Sequence, residues 1–260
     1  MDYENNLKKI DAYKKKFARY NRIRKSYFRK YFKIYHRYEV IGVDNIPDGP
    51  ALIAVNHGGG FDLDIVSLSD CTHPTRDIQP LVAADWHFLF SPWGRYYIGT
   101  GIPLWTQGGI RWEYIDRHLD KNGDHYPGLV SIYPEGHSGT FKERNVLHKF
   151  FPGVVRIALR YRVPIVPVAM IGFHRASPIP FEIQRDHGPN DPICLPFTLP
   201  VKLKAEIGEP FELSEYYGKE LNRAREFRVA NEIVRPKVAE LLAKHGKVAL
   251  EQVNVEMQKP

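Results

Sequence analysis

Three stretches of the chain are almost unbroken apolar runs: Ala51–Val55, Leu129–Tyr133 and Ile165–Met170. Runs of this length without polar alternation belong to strands covered on both faces. They sit in a longer series. Strands are predicted at Tyr38–Gly42, Ala51–Val55, Pro80–Ala84, Gly101–Leu104, Gly128–Tyr133, Pro164–Met170 and Val201–Ile207. Amphipathic helices are predicted at Asp62–Ser69, Ile110–Lys121, Val154–Tyr161 and Asn222–Lys244, the last kinked at Pro236. This alternation predicts a single α/β domain over residues 39–260, with a mixed, largely parallel sheet flanked by helices. There is no internal repeat.

Residues 1–38 have a different texture. Between Lys8 and Arg37 lie 13 lysines and arginines against one acid, Asp11. Tyr13, Phe17, Tyr20, Tyr27, Tyr31, Tyr35 and Tyr38 fall at steps of three, four and seven, one stripe of a helix, with Ile10 and Ile34 beside it. A basic amphipathic helix with an aromatic stripe is expected to lie on a membrane; alternatively the stripe packs on the domain while the charges face water. A second irregular region, Gly172–Pro200, carries six prolines and no periodicity, and ends in the apolar Ile193–Leu199. It reads as a lid, a loop dipping into lipid, or a packed surface loop.

Charge narrows the partners. A formal net charge of +7 points to something anionic: nucleic acid, anionic lipid or a phosphorylated small molecule. Aromatics at 13% suit side chains that are apolar at one end and wet at the other. Cys71 and Cys194 give neither a disulfide framework nor a zinc spacing. No apolar core of a signal peptide opens the sequence, and no run approaches the roughly 18 apolar residues of a membrane span. At a membrane, the protein is expected to be peripheral or monotopic.

The chemistry concentrates in two blocks at strand ends, where open α/β sheets bind ligands. The first is Asn56-His57-Gly58-Gly59-Gly60-Phe61-Asp62, after the strand Ala51–Val55. Three glycines let the backbone turn tightly and leave room for a ligand. Asp62 stands where it caps the next helix, or folds back to hold one nitrogen of His57 and leave the other as a base. The second is Tyr133-Pro134-Glu135-Gly136-His137-Ser138-Gly139-Thr140. Its Gly136-His137-Ser138-Gly139 approaches a nucleophile elbow, which keeps a serine hydrolase using Ser138 open, although Thr140 stands in place of the last glycine. A non-enzymatic basic binder of membrane or nucleic acid is a third class, but it has no use for the His57–Asp62 turn. No metal site is expected: the 11 histidines are scattered and no H-E-x-x-H occurs.

Together the blocks resemble the lysophospholipid acyltransferase family, which includes glycerol-3-phosphate and 1-acylglycerol-3-phosphate acyltransferases. Its N-H-x4-D motif is similar to Asn56, His57 and Asp62. Its F-P-E-G-T-R motif stands as Tyr133–Ser138, its V-P-I-x-P-V strand as Val163–Val168, and its G-x-P turn as Gly208–Pro210. The resemblance implies an O-acyltransferase that moves a fatty acyl group from acyl-CoA or acyl carrier protein to a lipid hydroxyl, without a cofactor and without nucleic acid. His57 would be the general base and Asp62 its orienting partner. Asn56, Gly58, Gly59, Gly60, Glu135, Gly136, His137 and Ser138 would bind substrate, with backbone N–H groups of the glycine turn or near Gly136 holding the oxyanion. It also implies a peripheral position on the cytoplasmic face of a membrane, against anionic lipid.

The departures from the family fall on its basic residues. Thr106 stands where the second motif ends in arginine, His137-Ser138 replace Thr-Arg, and Phe151 replaces the lysine of F-K-x-G. An acceptor without a terminal phosphate is one expectation. The other is that Lys142, Arg144, Lys149 and Arg175 supply the missing charge.

Overall fold

The computed structural model describes residues 8, 11–12, 15–84, 104–106, 112–143, 145–183, 191–195 and 197–254. In chain order its elements are helix α1 (Ala18–Ile34), strands β1 (Glu39–Ile41) and β2 (Ala51–Val55), helix α2 (Leu63–Ser67), and strands β3 (Ile78–Pro80), β4 (Val82–Ala84) and β5 (Leu104–Thr106). Helix α3 (Trp112–Leu119), β6 (Leu129–Ile132), α4 (Gly153–Tyr161), β7 (Ile165–Ile171) and α5 (Phe173–Ala176) follow. The chain continues with β8 (Phe181–Ile183), β9 (Asp191–Ile193), β10 (Lys204–Ile207), α6 (Arg223–Val229), α7 (Arg235–Gly246) and α8 (Leu250–Val253).

The main sheet has the order β1-β10-β7-β2-β6-β3. Strands β7, β2, β6 and β3 run parallel; β10 is antiparallel to β7, and β1 is parallel to β10. The sheet is therefore mixed and largely parallel. Alternate residues of β2 serve opposite cores. Leu52 and Ala54 face a layer with α3, α4, α6 and α7, while Ala51, Ile53 and Val55 face one with Phe32 of α1, Leu63 and Val66 of α2, and Phe173 of α5. All five are fully buried, which is why this strand shows no polar alternation.

Several boundaries differ from the sequence expectation. Pro80–Ala84 is two strands: β3 joins the main sheet and β4 pairs in parallel with β5. Most of the strand expected at Gly101–Leu104 lies outside the described residues. Gly172–Pro200 is not structureless. It begins with α5 and contains the antiparallel hairpin β8–β9. The long C-terminal helix is interrupted at Ala230–Val234 by a wider turn with π-type bonding, directly before Pro236 in the first turn of α7. Proline lacks an N–H and its ring crowds the carbonyl four residues back, so the ladder widens there.

Helix α1 is docked on the domain along one face. Phe32 is fully buried, and Arg24 is ion-paired to Asp70 at 2.7 Å, both side chains nearly sealed from solvent. Lys25 pairs with Asp77 at 2.5 Å, and Arg29 Nε donates to the Asp70 carbonyl at 2.8 Å. The apolar and aromatic residues of the helix thus divide. Phe28 and Phe32 pack inward, while Tyr20, Ile23, Tyr27 and Ile34 remain exposed.

Candidate active site

Strand β2 ends at Val55, and the next residue locks its end to β7. The Asn56 amide donates to the Met170 carbonyl at 3.1 Å and accepts the Met170 N–H at 2.6 Å. Asn56 is buried, and this reciprocal pair replaces a strand bond where the chain leaves the sheet. The sequence expectation placed Asn56 among the substrate-binding residues; in the structure its amide is a backbone clamp.

His57 follows. Its Nδ1 donates to Asp64 Oδ2 at 2.6 Å, and that oxygen also accepts the Gly58 N–H at 3.1 Å. Asp64 Oδ1 accepts the Ile65 N–H at 2.9 Å, so the fully buried carboxylate is held at both oxygens. The carboxylate bonded to His57 is therefore Asp64, where the sequence suggested Asp62. The reason lies in the turn. Phe61 and Asp62 both adopt left-handed backbone, φ 57° and 48°, an uncommon pair for residues other than glycine. The chain coils past Asp62 before α2 begins, and Asp64, in its first turn, faces back to His57. Asp62 occupies the position before α2 without a side-chain capping bond and acts on His57 through its charge.

Burial of the His57 ring works against its charged form. The Asp64 carboxylate, by charge and hydrogen bond, outweighs this, with Asp62 and Glu135 adding to it, and the imidazole is pushed up to about 9. The His57 side chain retains 14% of its exposure, and among the described residues no hydrogen bond occupies Nε2. Tyr133 packs its ring 5.0 Å from the imidazole.

Glu135 comes from the end of β6. Its Oε1 accepts the His57 N–H at 2.7 Å and its Oε2 the His148 N–H at 2.8 Å. It is 1% exposed, and burial raises its carboxyl to about 7 against the pull of those two N–H groups. The resemblance assigned Glu135 to the acceptor; in the structure it ties the glycine turn to the loop before α4. Ser138 Oγ donates to the Gly59 carbonyl at 3.0 Å, and Gly139 bridges to Gly58. Gly136 and His137 are exposed, with His137 packed 4.5 Å from the His148 ring.

The three glycines are required by what lies behind them. A Cβ at Gly58 would come within 2.3 Å of His174 Nε2, one at Gly59 within 2.5 Å of the Phe173 carbonyl, and one at Gly60 within 2.3 Å of Cys194 Sγ. His174 is buried, and desolvation lowers it to about 4, so it is a neutral ring wedged under the turn. The oxyanion donors expected here are mostly committed. The Gly58 N–H goes to Asp64, the Gly60 N–H to the Ser177 carbonyl and the Gly136 N–H to the Tyr133 carbonyl.

Sequence reasoning missed Asp64, His148, His174, Ser177 and Cys194. Asp64 was legible as a second acid in the same segment; the others reach the turn only through the fold. Lys142, Lys149 and Arg175 are exposed, while Arg144 and the side chain of Thr106 lie outside the described residues.

A buried imidazole–carboxylate pair stands at the C-terminal end of a central parallel strand, backed by a glycine turn, where open α/β sheets bind ligands. A sequence model of the Acyltransferase family matches residues 37–171, which contain all of these elements up to β7, and the chain belongs to that family. Its relatives include uncharacterized protein Rv0502 of Mycobacterium tuberculosis (strain ATCC 25618 / H37Rv), 33% identical over 72% of this chain and 56% of the relative. Uncharacterized protein ML2427 of Mycobacterium leprae (strain TN) is 29% identical over 75% and 56%. The chain thus spans about half the length of these relatives. The crystal structure of the 1-acyl-sn-glycerophosphate (LPA) acyltransferase PlsC from Thermotoga maritima shares the fold, with a TM-score of 0.52, 19% identity, and coverage of 94% of this chain and 99% of that one.

Proposed function

We propose that this protein is an O-acyltransferase that moves a fatty acyl group from an acyl thioester, carried on CoA or acyl carrier protein, to a hydroxyl of a lipid acceptor. The observation that carries this reading is the His57 Nδ1–Asp64 Oδ2 contact of 2.6 Å. With Nδ1 fixed as a donor, neutral His57 presents Nε2 as the base. It takes the proton of the acceptor hydroxyl as that oxygen attacks the thioester carbonyl. Collapse of the tetrahedral intermediate expels the thiolate, which is protonated by the imidazolium. No acyl-enzyme forms. Asp64 orients the ring and stabilises its charge, and Glu135 positions the backbone of His57.

The Ser138 hydroxyl argues against the hydrolase alternative. It donates its proton to the Gly59 carbonyl, whereas an activated nucleophile donates to a base. The family's phosphate-reading basic residues are replaced, so the acceptor is proposed to be a lipid without a terminal phosphate. Helix α1, which carries no acid and exposes Arg19, Arg22, Lys30 and Lys33, is proposed to hold the enzyme on the anionic cytoplasmic face of a membrane. Among the described residues no helix is long and apolar enough to cross one. The test is lipid mass spectrometry of a host before and after expression, with His57→Ala as control. A new acylated lipid that appears with the parent and not with His57→Ala supports the reading. An unchanged lipid profile, with purified protein also inert toward acyl thioesters, overturns it.

A further inference from the structure

The exposed edge of α1 does not stand alone. Tyr20, Ile23, Tyr27 and Ile34 are 52, 60, 64 and 75% exposed, and successive separations of three, four and seven keep them on one stripe. Tyr31 and Tyr35, beside that stripe, reach a segment more than 160 residues away. The Tyr31 and Thr198 hydroxyls lie 2.5 Å apart, and Tyr35 Oη donates to the Thr198 carbonyl at 2.8 Å. Just beyond the helix, Arg37 Nη2 donates to the Pro200 carbonyl at 2.8 Å. On either side of the stapled Thr198 stand Phe197, 55% exposed, and Leu199, 39% exposed. The Leu199 N–H is itself fixed to the Ala176 carbonyl at 2.7 Å. Two large apolar side chains are thus held open to solvent next to an exposed aromatic stripe, on anchored backbone.

We infer that Phe197 and Leu199 are a second lipid-inserting element, which together with the exposed stripe of α1 forms one bilayer-docking surface. This rests on the membrane reading of α1 and extends it to a segment outside the N-terminal region. Charge complementarity selects the occupant. Arg19, Arg22, Lys30 and Lys33 of α1 are exposed, and no acid interrupts them. A cationic flank beside an apolar edge matches the interface of an anionic bilayer, where the charges meet headgroups and the apolar groups enter the acyl boundary. Earlier on the same segment, the Cys194 thiol packs against Gly60 of the catalytic turn. Phe197 follows Cys194 by three residues, so the inserted loop continues directly from the residue that touches the glycine turn beside His57, which sets the site close to the surface from which a lipid acceptor enters.

The test is flotation of the full chain with vesicles of phosphatidylglycerol and phosphatidylcholine, at low and high salt. Screening weakens the attraction of the cations, whereas apolar insertion survives it. The Phe197→Ser/Leu199→Ser variant is expected to lose roughly tenfold or more in partitioning, with the loss persisting at high salt. Lys30→Glu/Lys33→Glu is expected to lose chiefly the salt-sensitive part. Phe227→Ser, on α6 across the sheet from α1, is expected to bind like the parent. As a readout independent of the folding of the double variant, Phe197→Trp should add fluorescence that brominated acyl chains quench. Parent-like flotation of the double variant at both salts, or an unquenched Trp at position 197, overturns the inference while leaving the role of α1 standing. Failure of the parent to float at any salt overturns the membrane reading itself.

Discussion

Asp64 Oδ2 accepts two hydrogen bonds from consecutive residues, from His57 Nδ1 at 2.6 Å and from the Gly58 backbone at 3.1 Å. One carboxylate oxygen therefore fixes both the tautomer of the base and the start of the glycine turn. Asp62 contributes charge to His57 from a different place in that turn. Asp64→Asn is accordingly expected to lower kcat/KM for acyl transfer by about 10²–10⁴-fold, and Asp62→Asn by much less. Steady-state kinetics on the two purified variants, with folding checked by circular dichroism, decide between the acids. A larger loss for Asp62→Asn would reverse the assignment.

The pH profile follows from the raised imidazole. His57 works as a base only when neutral, and its proton is held up to about 9 by Asp64 against the effect of burial. Below that pH, kcat/KM should rise about tenfold per pH unit and level off above it. Asp64→Asn removes the main group holding the proton, so its much lower rate should level off at a lower pH. Rates are read against a His57→Ala blank to subtract thioester hydrolysis. A flat profile between pH 6 and 9 in the parent would contradict the assignment of His57.

Glu135 links stability to pH. Its carboxyl is raised to about 7 from an ordinary 4.5, so the folded state binds more protons than the unfolded one between those values. This contribution is present at low pH and is lost as pH rises through about 7. Glu135→Gln places an amide NH₂ against the N–H of either His57 or His148, leaving one buried donor unsatisfied. The cost is about 1–3 kcal/mol, roughly 2–10 °C in Tm. Thermal unfolding should show a larger deficit at pH 5 than at pH 8, because the parent has lost its own advantage by then. A constant deficit would mean that Glu135 does not titrate in this window.

The glycines separate by what faces them. Gly58→Ala meets a side chain, the His174 ring, and His174→Ala should relieve much of the clash. Gly59→Ala meets the Phe173 backbone and sits at φ 80°, so no single side-chain removal relieves it. Melting temperature and activity of Gly58→Ala, Gly58→Ala/His174→Ala and Gly59→Ala test this. Rescue is expected only in the first pair, and a parent-like Gly59→Ala protein would contradict the geometry.

Much of the fold was legible because the signals were local. The continuous apolar runs gave β2, β6 and β7 to within a residue or two, and the strand–glycine–helix order located His57. Partners set by the third dimension were not legible. The choice of Asp64 over Asp62 depends on two left-handed residues, Phe61 and Asp62, that no propensity favours. Glu135 looked like a substrate residue because its backbone partners, at His57 and His148, lie on two other segments. The proline-rich stretch reads as irregular because its anchors, Tyr31, Tyr35 and Arg37, are far away in sequence. The aromatic stripe was visible, but not its division into a docked edge with Phe32 and an exposed edge with Tyr27.

His57 is proposed to perform the proton transfer of an acyl transfer, and kcat/KM of His57→Ala tests that role. The assay uses purified protein, one acyl-CoA and a panel of acceptors with and without a terminal phosphate, and detects product by mass spectrometry. A fall of about 10²–10⁴-fold is expected in a protein with the parent's circular dichroism spectrum, on whichever acceptor the parent uses best. Turnover by folded His57→Ala within a few-fold of the parent would contradict it.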